Sequence, residues 1–175
     1  MVEDVVTGWV SADDPQYGFP GATGELQSRV VRETGTGTLD FYWKVDVDFA
    51  SYPSYVPTSL TIAGLTLADF GTGAAFDADY RIDGLGTMAP TDAWATPTSL
   101  TWDFDPSAFG PGSESYFLLL RSTATTFDEN ALAELGASSI ATFEPAAAVP
   151  EPAPRSLLVA GLAAVALLGR RLRAR

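Results

Sequence analysis

Carboxylate oxygen is the only chemically versatile group that this chain carries in quantity. Its 175 residues include 22 Asp and Glu but no His and no Cys. Without histidine, Ser-His nucleophilic chemistry lacks its base. Without cysteine, thiol catalysis, thiolate metal sites and disulfide staples are all excluded. Paired carboxylates suffice for glycoside hydrolysis, yet nothing local singles out a pair among the 21 acids that precede residue 150. The expectation is a non-enzymatic protein with no cofactor. One acidic run has ligand-like spacing: Asp77, Asp79 and Asp83 alternate through Asp77-Ala78-Asp79-Tyr80-Arg81-Ile82-Asp83-Gly84. Hard oxygen ligands suit calcium, so these three are the candidate metal ligands. The EF-hand pattern fails at Arg81, Ile82 and Met88, and the competing reading is a strand with one wet face.

Two further patterns have chemical readings. Thr34-Gly35-Thr36-Gly37-Thr38 has the glycines of a phosphate loop but no lysine, and it runs into a strand instead of opening a helix. A hairpin turn is the better expectation. The aromatic residues Trp9, Tyr17, Phe19, Trp43, Tyr52, Tyr55, Trp94 and Trp102 are numerous enough for a sugar-stacking platform. Trp43 and Trp102 fall on inward positions and read as core, whereas Tyr52, Tyr55 and Trp94 sit in loop-like contexts suited to exposed contacts.

The elements that position these residues read as strands. From Leu39 to Phe49 every odd residue is apolar, and the even ones are Asp, Tyr or Lys. That strict period of two places Leu39, Phe41, Trp43, Val45, Val47 and Phe49 on a core face. Leu100, Trp102 and Phe104 repeat the pattern. Residues 116–120 are continuously apolar, as expected of a central strand covered on both faces. Further strands are expected at 26–31, 59–63, 78–82 and 139–143, separated by Gly- and Pro-rich turns. The 128–136 segment offers helix formers and a terminal Gly136, but a strand pair turning at Gly136-Ala137 is the preferred reading. The expected fold class is all-β, an antiparallel β-sandwich-like ectodomain over 1–148, with Phe41, Trp43, Val45, Trp102, Phe104 and Leu119 buried.

Charge divides the chain in two. Five cations (Arg29, Arg32, Lys44, Arg81, Arg121) face 22 acids before residue 155, leaving that part at −17, while residues 155–175 carry +5. So acidic a body repels phosphate, which argues against nucleic acid and anionic lipid as partners. The last residues have a separate organisation: Pro150-Glu151-Pro152, an apolar stretch over 156–169, then Arg170, Arg171, Arg173 and Arg175. As a helix, 156–169 spans about 21 Å against a hydrocarbon core of about 30 Å. Arg155 and Arg170 bridge the shortfall by snorkelling, and the arginine cluster fixes the C-terminus on the cytoplasmic side. Prolines at 145, 150, 152 and 154 keep the approach extended. The expectation is a short C-terminal transmembrane helix within a tail of 149–175.

The order of these tail elements resembles the PEP-CTERM sorting signal of bacterial exported proteins, the substrates of exosortases. The body is similar to ectodomains of that group at 37–45, 100–104, 109–115, 118–125 and 143–145, about two-thirds of the chain by a loose match. The resemblance implies cutting near Pro150, Glu151 and Pro152, a basic stop at Arg170, Arg171, Arg173 and Arg175, and an exosortase-type enzyme as partner. It also implies transient residence in the inner membrane, delivery to the cell surface or extracellular matrix, and exopolysaccharide as a neighbour. The acidic Met1-Val2-Glu3-Asp4 start lacks the basic and apolar regions of an export signal, so the expectation is that the start is internal or truncated. The alternative function is a carbohydrate- or calcium-binding adhesion module with the same tail.

Overall fold

The computed structural model describes residues 1–13, 16, 18, 20–66, 76–82 and 85–146, with the backbone alone at 76–79. Eleven strands form among them: β1 (Glu3–Val10), β2 (Ala22–Arg32), β3 (Leu39–Ala50), β4 (Ser59–Ala63), β5 (Phe76–Arg81), β6 (Asp92–Thr96), β7 (Ser99–Asp103), β8 (Ser113–Glu114), β9 (Phe117–Ser122), β10 (Thr126–Leu135) and β11 (Ser138–Ala146). One sheet runs β1-β2-β3-β9-β5, with β8 also on β3; the other runs β11-β10-β4-β7-β6, and the neighbouring strands are antiparallel. The architecture is therefore the expected two-sheet antiparallel sandwich. The expected transmembrane helix at 156–169 lies outside the described residues, and among those no helix is long and apolar enough to cross a membrane.

Period-two alternation builds the core as the sequence requires. Leu39, Phe41, Trp43, Val45 and Val47 of β3 meet Leu60 and Ile62 of β4 and Leu100 and Trp102 of β7 in one hydrophobic cluster. The six residues expected to be buried all are. Trp43 and Trp102 pack with ring centroids 5.9 Å apart, and Trp43 Nε1 donates to Thr142 Oγ1 at 2.8 Å. This bond ties β3 of one sheet to β11 of the other.

The continuous apolar run of β9 also has the expected double cover. Leu118 and Leu120 face the main core, while Phe117 and Leu119 join Tyr42 in a second cluster. Arg29 lies 4.8 Å over the Phe117 ring, and Arg81 lies 5.4 Å over that of Tyr42. Tyr42, at an even position of β3, is thus buried with apolar neighbours of its own.

Two expectations need correction. Phe49, assigned inward, is 46% exposed. Thr23 pairs with Phe49 but Gly24 pairs with Val47, so Asp48 is an extra residue that inverts the parity of the strand end. Trp94, assigned to a loop, lies on edge strand β6, whose five residues are all exposed. Strand β1 was not expected at all; it buries Trp9, whose Nε1 donates to the Asp46 carbonyl at 3.2 Å. Gly24 makes that approach feasible, because a Cβ there would lie 1.9 Å from Asp46 O and 2.6 Å from the Trp9 ring.

The remaining turns follow their chemistry. Glu33 and Thr38 close the β2–β3 hairpin, with Glu33 N donating to Thr38 O at 2.9 Å, so the glycine-threonine run is a turn. Residues 128–135 all belong to β10, and β10 turns into β11 at Gly136, whose φ of +58° favours glycine.

Candidate functional site

Strand ends decide which side chains share a surface. β3 ends at Ala50, β4 begins at Ser59 opposite Asp103 of β7, and the chain after β7 loops through 104–112 back to β3. The segments 50–56 and 106–111 therefore meet at one end of the sandwich. Between them lies a groove of about 280 Å³, with Tyr52 and Pro53 on one wall and Pro106, Ser107, Phe109 and Pro111 on the other. Tyr52 is 46% exposed, and its ring centroid lies 6.4 Å from that of Tyr55 at an interplanar angle of 47°.

Both walls are pinned from below. Phe109 is buried and stacks on Phe104 at 4.4 Å, and the Phe109 and Ala108 amides both donate to Asp105 O. The Asp105 carboxylate accepts from Ser107 N at 2.8 Å and Ser107 Oγ at 2.7 Å, and these bonds hold its pKa below the usual carboxylate range. Ser51 donates to Gly21 O from both its amide and its hydroxyl, at 2.7 and 3.0 Å. No described residue lining the groove is Asp, Glu, Lys or Arg, although residues 1–148 carry 21 acids. Such a groove discriminates against charged ligands, since nothing in its walls would replace their lost hydration.

A second cluster sits where β10 and β11 come together. Asp128 is directly opposite Glu144, next to a bulge between Asp128 and Ala131. Glu144 is only 7% exposed, and its Oε2 has no hydrogen-bond partner among the described residues. Burial pushes the Glu144 carboxyl up from its ordinary 4.5 to about 7, helped by its hydrogen bond with Asp128 and by the negative charge of Asp128. Two carboxyl groups in contact share a proton more readily than they both ionise. No signal in the sequence marked this pair, because a glutamate in an alternating strand reads as wet.

The other candidates divide. Asp77 and Asp79 lie on β5, opposite Arg121 and Leu119, while Asp83 is outside the described residues. Among the described residues no three His, Cys, Asp or Glu are grouped to hold a metal ion. Of the three aromatics suited to exposed contacts, Tyr52 and Trp94 are exposed, whereas Tyr55 is partly buried against the core; Tyr52 and Tyr55 lie side by side, and Trp94 stands on a different element, edge strand β6. Trp9 belongs to the core, and Tyr17 and Phe19 are outside the described residues. So are Pro150, Glu151, Pro152 and the arginines at 170, 171, 173 and 175.

No protein-family model matches this sequence, and no curated protein matches it. Among solved structures, the chitin-binding domain of a chitinase from Pyrococcus furiosus is similar over 68% of this chain and 99% of that one, at 9% identity and a TM-score of 0.38. So slight a likeness has no bearing on what this chain binds.

Proposed function

We propose that this chain is an exported, non-enzymatic surface or matrix module of a bacterium, delivered by a C-terminal sorting tail that an exosortase-type enzyme cuts near Pro150–Pro152. The observation that carries this reading is the order of elements after residue 149: Pro150-Glu151-Pro152, an apolar stretch over 156–169, then four arginines by residue 175. Among the described residues the core cluster is drawn from Trp9 to Phe143, and β11 is described as far as Ala146. The charge reversal points the same way: an acidic body on the far side of a membrane, an arginine cluster on the cytoplasmic side. The lack of histidine and cysteine supports a body that binds or scaffolds without catalysis. A carbohydrate-binding adhesion module is the more specific form of this reading, and the groove beside Tyr52 favours it.

Deletion of 149–175 tests the division between body and tail. The melting temperature of the body is expected to stay within about 2 °C of the full chain, as a tail separate from the core requires. Membrane association in cell fractionation is expected to vanish. A fall of more than about 10 °C would mean that 156–169 packs on the sandwich, and the sorting role would lose its physical basis.

A further inference from the structure

We propose that the groove between the Pro53–Tyr55 turn and the 106–111 loop binds one ring of a neutral saccharide, with Tyr52 as its stacking platform. The proposal rests on the reading of the body as a binding module and names its ligand class. The first support is the chemistry of the walls. They combine an aromatic face, three prolines and two serine hydroxyls, with no Asp, Glu, Lys or Arg among the described lining residues. A pyranose presents the matching set, an apolar C–H face for the ring of Tyr52 and hydroxyls for the edges. A polyuronate is disfavoured twice, by the uncharged groove and by the −17 of the surrounding body.

The serine hydroxyls sharpen the choice. Ser51 Oγ has given its proton to Gly21 O, and Ser107 Oγ has given its proton to Asp105 Oδ1. Each is left with lone pairs alone, so each can only accept. The ligand must therefore bring O–H or N–H donors. A sugar does so at every carbon that bears a hydroxyl. A proline-rich peptide, the other common occupant of aromatic-proline grooves, brings carbonyl acceptors and few donors.

Position supplies the second support. The groove lies at the Ala50 end of β3, whereas the tail departs from the opposite end. Ala146 pairs with Thr126, next to Thr125, whose carbonyl accepts from Arg32; Leu39 O accepts from Ser122 Oγ at 2.8 Å. The 12 residues of β3 separate those ends by roughly 40 Å at about 3.3 Å per residue. Residues 147–152 reach at most about 20 Å when extended. The chain's own Pro150-Glu151-Pro152 therefore falls short of the groove. If the tail is held at a membrane, the groove faces away from it, open to long polymers. The pinned walls complete the picture, because ligand binding then orders little that is not already ordered.

The test is isothermal titration of the full chain, held in a zwitterionic detergent free of sugar. The probes are neutral hexasaccharides built from glucose, mannose or N-acetylglucosamine, with a hexauronate as the acidic control. At least one neutral probe is expected to bind, and the hexauronate at least about tenfold more weakly. Tyr52→Ala is expected to weaken the neutral probe by about tenfold or more, Tyr52→Phe to retain most of its affinity, and Trp94→Ala to leave it unchanged. Circular dichroism of each variant must match the parent fold. No binding of any neutral probe at millimolar concentration overturns the proposal. So does undiminished binding by a folded Tyr52→Ala, or a preference for the hexauronate or for a Pro-x-x-Pro peptide. Such a failure would leave tail processing untouched, and a failure of processing would leave the titration untouched.

Discussion

Trp43→Ala is expected to cost about 3–5 kcal/mol of folding stability, a large part of what a domain of this size usually has. Three losses coincide at this position. The indole is 1% exposed and packs between Phe41 at 6.4 Å and Trp102 at 5.9 Å, so its removal leaves a cavity between the sheets. It takes away the donor to Thr142 Oγ1, which also pairs with Ser28 Oγ at 3.0 Å. The Thr142 hydroxyl is buried and would be left with one partner fewer. Finally, Trp43 joins β3 to β11 across the sandwich, so the loss acts on both sheets at once. Urea denaturation followed by tryptophan emission from the remaining indoles reads the change. A loss under about 1 kcal/mol would mean that the two sheets do not meet at Trp43 as described.

Stability is expected to fall as pH rises from about 4.5 to about 7, and Glu144→Gln is expected to remove much of that fall. The sign follows from proton linkage. The folded state holds the Glu144 proton up to about pH 7, whereas the unfolded chain releases it near 4.5. Within that window the folded state binds more protons, so each increment of pH weakens it. The full stabilisation is present below 4.5 and is gone above 7, with an upper bound on the order of 3 kcal/mol. Glutamine keeps the shape, carries no charge and can still donate to Asp128. The variant should therefore exceed the parent in stability at pH 8 and differ little from it at pH 4. Asp40 and Asp46, both raised chiefly by burial, contribute to the same slope in parent and variant alike. Only the difference between the two proteins isolates Glu144. Parallel curves for parent and variant between pH 4 and 8 would show that Glu144 is ionised and well solvated in the folded state.

Central strands were legible in the sequence because burial leaves a pattern there. β3, β7 and β9 each carry the apolar spacing that their place in the sheets demands, and the β10–β11 hairpin was readable from Gly136. Two of the edge strands leave no such pattern. β1 buries only Trp9 and β6 buries nothing, so neither shows alternation of apolar and polar residues. Phe49 was misplaced because a single extra residue, Asp48, inverts every position beyond it, and nothing in composition marks a bulge. The groove was half legible. Tyr52 and Tyr55 stood out beside Pro53, but the facing wall lies some 50 residues further along, and only the pairing of β4 with β7 brings it near. Glu144 was hidden because it lies just past the strand expected at 139–143, and only the pairing of β10 with β11 sets it opposite another carboxylate.

The most direct test of the proposed function is the intact mass of the mature protein. The chain is fused to a working export signal in a host that has an exosortase, and the surface-released product is weighed. The account predicts a product that ends near Pro150–Pro152 and lacks the five cations of residues 155–175. Glu151→Gln should impair the cut while leaving membrane insertion intact, since one interfacial charge scarcely alters transfer energy. A mature protein that still carries residues 157–175 would contradict the account, because the tail would then be a plain anchor.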